Sequence, residues 1–257
     1  MICILDLGTS KISSILVKDE DLSPEVIAFS SVETSGIKTG SIINISQISE
    51  DISKCINELE DKSGEKIKDI IVSFSGEQIS SINSTGSVII RQKEVTARDV
   101  QSALNVSSTL KVPNDKTLLF VSPNEYIIDG QPGIAQPIGM NGVRLEAKSH
   151  LIYCSQNTKE NISKCIEELN DLRIKKFYYN QLGAAESVLT KDQRELGVCL
   201  LDIGAGTTDL LFTKEDQFVF QKFSLMQEIL LLKLLPHLLK LHQRKQKKLR
   251  RNMDALS

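Results

Sequence analysis

Residues 2–5 (Ile-Cys-Ile-Leu) form an unbroken apolar run, the pattern of a short buried strand. A polar turn, Asp6-Leu7-Gly8-Thr9-Ser10-Lys11, separates it from a second strand at 12–18. Strand character continues over 25–32, and Gly36 and Gly40 punctuate the turns that follow. Over 46–61 the apolar period changes to that of a helix, with Ile48, Ile52, Cys55, Ile56 and Leu59 on one face and Ser46 as the expected N-cap. A strand at 69–74 stops at Ser75-Gly76.

A different unit begins near residue 84. A strand reaches 91, and Thr96 caps a helix to about 108, with Asp99 placed for a capping box. Pro113-Asn114-Asp115 breaks that helix; 118–121 and 126–128 are strand-like, and a strand over 143–154 closes the unit. Residues 84–154 thus read β-α-β-β. Beyond them come a helix at 161–169, a strand at 174–179, a helix start rich in small residues at 183–189, and a buried strand at 197–201. That last strand runs into Asp202-Ile203-Gly204-Ala205-Gly206-Thr207-Thr208-Asp209 and a further strand at 210–213. Strands separated by helices predict an α/β architecture.

Composition narrows the class. The 257 residues are 40% apolar and 25% charged, with a net charge of −2, a profile of one or two soluble globular domains. The five cysteines are odd in number and lack C-x-x-C spacing, so they read as buried apolar residues of a reducing cytosol. No apolar stretch has the length of a membrane span, and no signal peptide is recognised. Charge is uneven. Residues 225–257 hold eight Lys and Arg against two acidic residues, a net +6, leaving −8 on residues 1–224. An acidic body does not suit nucleic-acid binding.

Two segments repeat each other. Residues 2–9 and 198–205 are each an apolar strand running into an Asp-x-Gly turn with small or hydroxyl residues, followed by a second strand. Such a pair suits phosphate binding: glycine lets backbone N–H groups converge on an anion, and Ser and Thr hydroxyls add donors. An Asp at each turn holds Mg²⁺ through water, so that the metal bridges phosphate oxygens. The alternative is two structural turns, with each Asp bonded to its own backbone. Lys11 faces either phosphate or solvent. His150 reads as a packing histidine, and Arg144 as structural or part of an interface.

These residues resemble the actin-like ATPase superfamily and, within it, the FtsA family of bacterial cell-division proteins. Asp6 to Lys11 is similar to the superfamily's first phosphate motif, residues 202–209 to its second, and residues 183–189 to its first connecting helix. Ser73-Phe74-Ser75-Gly76, Pro137-Ile138-Gly139-Met140-Asn141-Gly142-Val143-Arg144, His150-Leu151-Ile152 and Glu195-Leu196-Gly197-Val198 resemble FtsA more specifically. The resemblance covers about residues 1–224. It implies an actin-like (ribonuclease H-like) ATPase fold, incomplete here, with an inserted small α+β subdomain: subdomain 1A at 1–83 and 155–197, 1C at 84–154, and the start of 2A at 198–224. It implies that ATP and Mg²⁺ bind through Asp6, Gly8, Thr9, Ser10, Lys11, Asp202, Gly204, Ala205, Gly206, Thr207 and Thr208, with Asp6 and Asp202 on the metal side. It further implies filaments by self-association, a link to FtsZ, contacts with later division proteins through 84–154, and a place at the cytoplasmic face of the inner membrane at the septum. Many relatives carry a Glu just before the small-residue helix, where this chain has Asn180 and Gln181. Either amide could orient a water, but neither is a strong base, so at most a weak ATPase is expected. A pilus-assembly homologue, a sugar kinase and a chaperone-type ATPase are the alternatives within the superfamily.

After about Phe223 the resemblance stops in a basic tract with 11 Leu among residues 225–257, interrupted by Pro236. Read one base out of register, the codons of Met226-Gln227 force Ala and those of Met253-Asp254 force Gly. The choices between permit stretches that resemble the family's continuation. A frameshift near Phe223 is therefore expected, with a truncated product, a missing anchor helix and weak nucleotide binding. The competing reading of this tail is a basic amphipathic helix for a membrane or a partner.

Overall fold

A computed structural model describes residues 1–18, 24–109, 112–169, 172–214 and 217–224, the last segment by its backbone. The tail at 225–257 therefore lies outside the described residues, and the expected frameshift near Phe223 falls at their edge. Strands β1 (Ile2–Leu7), β2 (Lys11–Lys18) and β3 (Glu25–Glu33) form an antiparallel meander. The short strands β4 (Ile37–Lys38) and β5 (Ser41–Ile42) make a hairpin, and helix α1 (Ile45–Ser63) leads to β6 (Asp69–Phe74). The inserted module contains β7 (Ile79–Ile89), α2 (Ala97–Thr109), β8 (Lys116–Ile128), β9 (Gln131–Ile134) and β10 (Arg144–Ser155). The chain then returns through α3 (Gln156–Glu167), β11 (Arg173–Tyr179), α4 (Asn180–Val188) and α5 (Lys191–Leu196). It ends its described part with β12 (Val198–Ile203), β13 (Thr208–Lys214) and β14 (Gln217–Ser224).

The first sheet has the order β11-β6-β1-β2-β3, with β11, β6 and β1 parallel. Parallel neighbours need crossovers, and α1 and α3 supply them on one face. Cys3, Leu5 and Leu7 alternate inward from β1 onto Ile48, Ile52, Cys55 and Leu59 of α1 and Ile162, Cys165 and Ile166 of α3, in one apolar core. Helix α1 begins two residues earlier than an N-cap at Ser46 would set. Its cap is Asn44, whose side-chain oxygen accepts from the Gln47 N–H at 3.1 Å, because Ile45 joins the first turn and packs on the core. Gly64 ends it in the left-handed conformation (φ 71°).

The module has its own sheet, β7-β10-β8-β9, with α2 packed on it and a second apolar core. Thr96 and Asp99 bond reciprocally, the expected capping box: Asp99 accepts the Thr96 N–H at 2.9 Å, and Thr96 Oγ1 accepts the Asp99 N–H at 3.3 Å. Its first strand starts at Ile79, ahead of residue 84. The two expected strands at 118–121 and 126–128 are one strand, β8. Pro123 is accommodated by a bulge, where Lys148 pairs with Glu125 and Ser149 with Pro123. The added strand β9 follows a tight turn at Asp129-Gly130, both at positive φ. Asp-Gly is a hairpin signal that the reading by runs passed over.

Helix α3 starts at Gln156 rather than near 161, because its first residues are polar and carry no apolar period. Helix α4 starts at Asn180, so Asn180 and Gln181 open the small-residue helix instead of preceding it. The additional helix α5 has a capping box of Thr190 and Gln193. Strand β12, expected to be buried, is half-exposed and Ile203 is 56% exposed, because β12 is the edge of the sheet β12-β13-β14. Four of the five cysteines are buried, and Cys199 is half-buried.

Candidate functional site: two facing hairpins

The repeat seen in sequence is a repeat in backbone geometry. In the first hairpin Leu7 pairs with Ile12, and the Gly8 N–H donates to the Lys11 carbonyl at 3.0 Å. In the second Ile203 pairs with Thr208, and the Gly204 N–H donates to the Thr207 carbonyl at 2.8 Å. A Cβ on Gly8 would lie 2.8 Å from the Lys11 oxygen, so the turn needs glycine there. The hairpins also meet tip to tip. A Cβ on Gly206 would lie 2.6 Å from Thr9 Cγ2, so only glycine allows this approach.

Register puts further groups beside them. Leu7, Phe74 and Tyr179 are aligned across the parallel strands β1, β6 and β11, and Asp6 is level with Ser73. Helix α4 begins where β11 ends, so Asn180 and Gln181 stand at the same end of the sheet as the first hairpin. Ligands of α/β sheets bind at this carboxyl end, and a helix N-terminus there favours an anion.

Several polar atoms at this end are buried without a protein partner: Asp6 Oδ1, Asn180 Oδ1, both ends of the Gln181 carboxamide and Thr208 Oγ1. Gln181 is fully buried. Each such atom costs about 1–3 kcal/mol unless water or a ligand meets it, so the cluster has the polarity of a binding site. Burial, foremost, raises the Asp6 carboxyl above the ordinary carboxylate range; a Ser73 hydrogen bond opposes this, the charge of Asp202 adds to it, and Lys11 opposes it. Asp6 and Asp202 thus feel each other across the two hairpins.

Two contributors were not singled out from sequence. Asp209 pairs with Asp202 across the second hairpin, where the first hairpin has Ser13 opposite Asp6. The Tyr179 hydroxyl donates to Asp209 Oδ1 at 3.1 Å and joins the end of β11 to the second hairpin. Burial pushes the Asp209 carboxyl up to about 6, against hydrogen bonds from Tyr179 and Ser75 and with the charge of Asp202. Burial, with Asp209 next, pushes the Tyr179 hydroxyl well above its usual range. The mismatch of Ser13 and Asp209 at equivalent positions was the signal available in the sequence.

The other candidates fall as follows. Ser10 and Lys11 are exposed on the first turn, and Gly204 and Ala205 on the second; Thr207 and Thr208 are buried. His150 is buried, with Nδ1 2.7 Å from Asn83 Oδ1. Arg144 bonds Ser87 and pairs with Glu146. A cavity of about 210 Å³ is lined by Leu7, Gly40, Phe74, Ser155 and Ile162.

Among the described residues no group of three or more His, Cys, Asp or Glu side chains could hold a metal on its own. The donor set suits a hard cation that keeps much of its water. Mg²⁺ is commonly held by one or two carboxylates and by substrate phosphates, and Asp6, with an unpartnered buried oxygen, and Asp202 fit that pattern. The arrangement can bind an anion bridged by a cation. Gln181 can orient a water but cannot take its proton.

The fold and the paired hairpins define an actin-like ATPase fold carrying an inserted domain. A chain of a PilM–PilN type IV pilus biogenesis complex shares this fold, with a TM-score of 0.60 at 12% identity over 88% of this chain and 62% of that one. Residues 76–153 match the SHS2 domain inserted in FtsA. The particular protein this chain resembles is the bacterial cell-division protein FtsA. It is 39% identical to that of Pseudomonas aeruginosa over 216 residues, 83% of this chain and 52% of the relative. To that of Escherichia coli it is 34% identical over 207 residues, 80% and 49% of the two. The chain spans about half the length of the curated relatives it matches.

Proposed function

We propose that the chain is a cell-division protein of the FtsA kind, which holds the phosphates of ATP with Mg²⁺ between its two hairpins. The observation that carries this reading is the SHS2 domain at 76–153, inserted between β6 and α3 of a fold whose hairpins face each other through Thr9 and Gly206. On this reading residues 1–83 and 155–197 are subdomain 1A, 84–154 is 1C, and 198–224 begins 2A. Asp6 and Asp202 act on the metal side. Glycine turns and the Thr9, Thr207 and Thr208 hydroxyls face phosphate, and Gln181, with Asn180, orients a water. The protein self-associates into filaments at the cytoplasmic face of the septal membrane, links FtsZ to the division site, and meets later division proteins through the inserted module. Hydrolysis is slow, because an amide stands where a base would speed it.

A fluorescent fusion in dividing cells tests the role: a band at the division plane is expected, and even labelling of the cytoplasm by intact fusion refutes it. Calorimetry with Mg-ATP tests the site. Two hairpins offer phosphate contacts, so a Kd no tighter than about 100 μM is expected, weakened further by Asp202→Ala. A micromolar Kd would show a more complete nucleotide site than these residues provide.

A further inference from the structure

A third element reaches the hairpins. Between β4 and β5 the chain turns at Thr39 and Gly40, both at positive φ (49° and 76°), with Lys38 paired to Ser41. This is the mirror-image turn of tight hairpins, whose first central position favours Asn, Asp or Gly over a β-branched residue. The tip of the turn touches both phosphate hairpins. The Gly40 N–H donates to Thr9 Oγ1 at 3.3 Å. The Thr39 nitrogen lies 3.3 Å from where a Cβ on Gly206 would stand. Behind it Gly40 rests on Gly76: a Cβ on Gly40 would lie 2.6 Å from the Gly76 Cα, so the tip is seated against the turn that follows β6.

We propose that the Thr39–Gly40 turn is a third wall of the anion site and that Thr39 and Gly40 are positioning residues for it. The turn fills an acceptor lone pair of the Thr9 hydroxyl, which leaves that hydroxyl's proton free to donate to a bound phosphate. It also sets the gap between the hairpins, because Thr9 and Thr39 bound the space that Gly206 leaves open. This rests on the reading of the hairpins as a phosphate site.

The test follows backbone amides of the full chain while Mg²⁺ with inorganic tripolyphosphate is titrated to millimolar concentration. In the wild type the amides of Gly8, Gly204, Gly206 and Gly40 shift together. Gly206→Ala places a methyl against Thr9 and Thr39 and weakens binding about tenfold, the scale of one good hydrogen bond. Adding Thr9→Ser, which removes the crowding methyl and keeps the hydroxyl, restores it. Thr39→Asn, suited to the turn, binds as the wild type does. Thr39→Pro, which cannot adopt positive φ, loses about the same factor as Gly206→Ala. If Thr39→Pro does not fold, as its circular dichroism shows, the Gly206→Ala and Thr9→Ser pair decides. Shifts at the hairpins with no response at Gly40 and no rescue by Thr9→Ser overturn the third wall and leave the phosphate reading intact. No shift at either hairpin overturns the phosphate reading, and the third wall with it.

Discussion

Asp209→Asn isolates the least comfortable charge in the site. Asp209 is buried, beside Asp202, and its carboxyl is raised from 3.8 to about 6. A carboxyl raised on folding keeps its proton more tightly in the folded chain, so its neutral form is the one folding prefers. Below pH 3.8 the group costs nothing. As pH climbs through 6 the folded chain must hold a charge that the unfolded chain holds in water, and stability falls. The rise from 3.8 to about 6 corresponds to roughly 3 kcal/mol. Asparagine has the shape of the neutral acid and an oxygen that still accepts from Tyr179. Urea unfolding of both proteins in EDTA, at about pH 3.5 and 7.5, removes the contribution of every carboxyl they share. The stability of Asp209→Asn relative to wild type should rise by about 2–3 kcal/mol between those pH values. A difference that stays flat, or a variant less stable than wild type at neutral pH, would refute the account of Asp209 as a charge held against burial.

Two stability predictions concern the inserted module. Gly86→Ala should destabilise it by about 3 kcal/mol or more and shift its melting selectively, because a Cβ there overlaps the Ala103 carbonyl and the Ser107 nitrogen of α2. Thr96→Ala should cost about 1 kcal/mol in urea unfolding through loss of the capping box, and Thr96→Ser should recover most of it.

How far the sequence speaks depends on the range of the interaction. The alternation of Cys3, Leu5 and Leu7 and the helical spacing of Ile48, Ile52, Cys55 and Leu59 are local, and both reach the core they predict. The Thr96–Asp99 box is equally local. The repeated Asp-x-Gly turns were legible because the same backbone requirement is written twice. Polar first turns hid the start of α3, and Pro123 hid the continuity of β8, since the bulge that absorbs it is made with β10, more than twenty residues on. The Thr190–Gln193 box and the Asp129-Gly130 turn were readable signals that an argument from apolar runs does not weigh. What sequence could not show is convergence. Tyr179 and Asp209 are 30 positions apart, Thr9 and Gly40 are 31, and their meetings depend on the order of strands in two sheets.

The hairpins share a backbone and differ in charge, and that difference predicts how the site must take an anion. The first brings Asp6 and Lys11; the second brings Asp202 and Asp209. Three carboxylates against one ammonium repel a bare polyphosphate, although the glycine turns and the start of α4 would welcome one. Two like unit charges 4 Å apart repel by about 4 kcal/mol at the effective dielectric of a protein surface, and a third of that is about tenfold in affinity. A cation at Asp6 and Asp202 turns this repulsion into a bridge. Binding of ATP or tripolyphosphate should therefore weaken at least about tenfold when EDTA replaces Mg²⁺. In Asp202→Asn, with one repelling charge gone and the bridge weakened, the difference between Mg²⁺ and EDTA should shrink from both sides. Equal affinity in Mg²⁺ and EDTA for the wild type would mean that the carboxylates do not face the anion. The paired aspartates would then be turn residues bonded to their own hairpins, and the anion, if held at all, would sit on the glycine backbone without them.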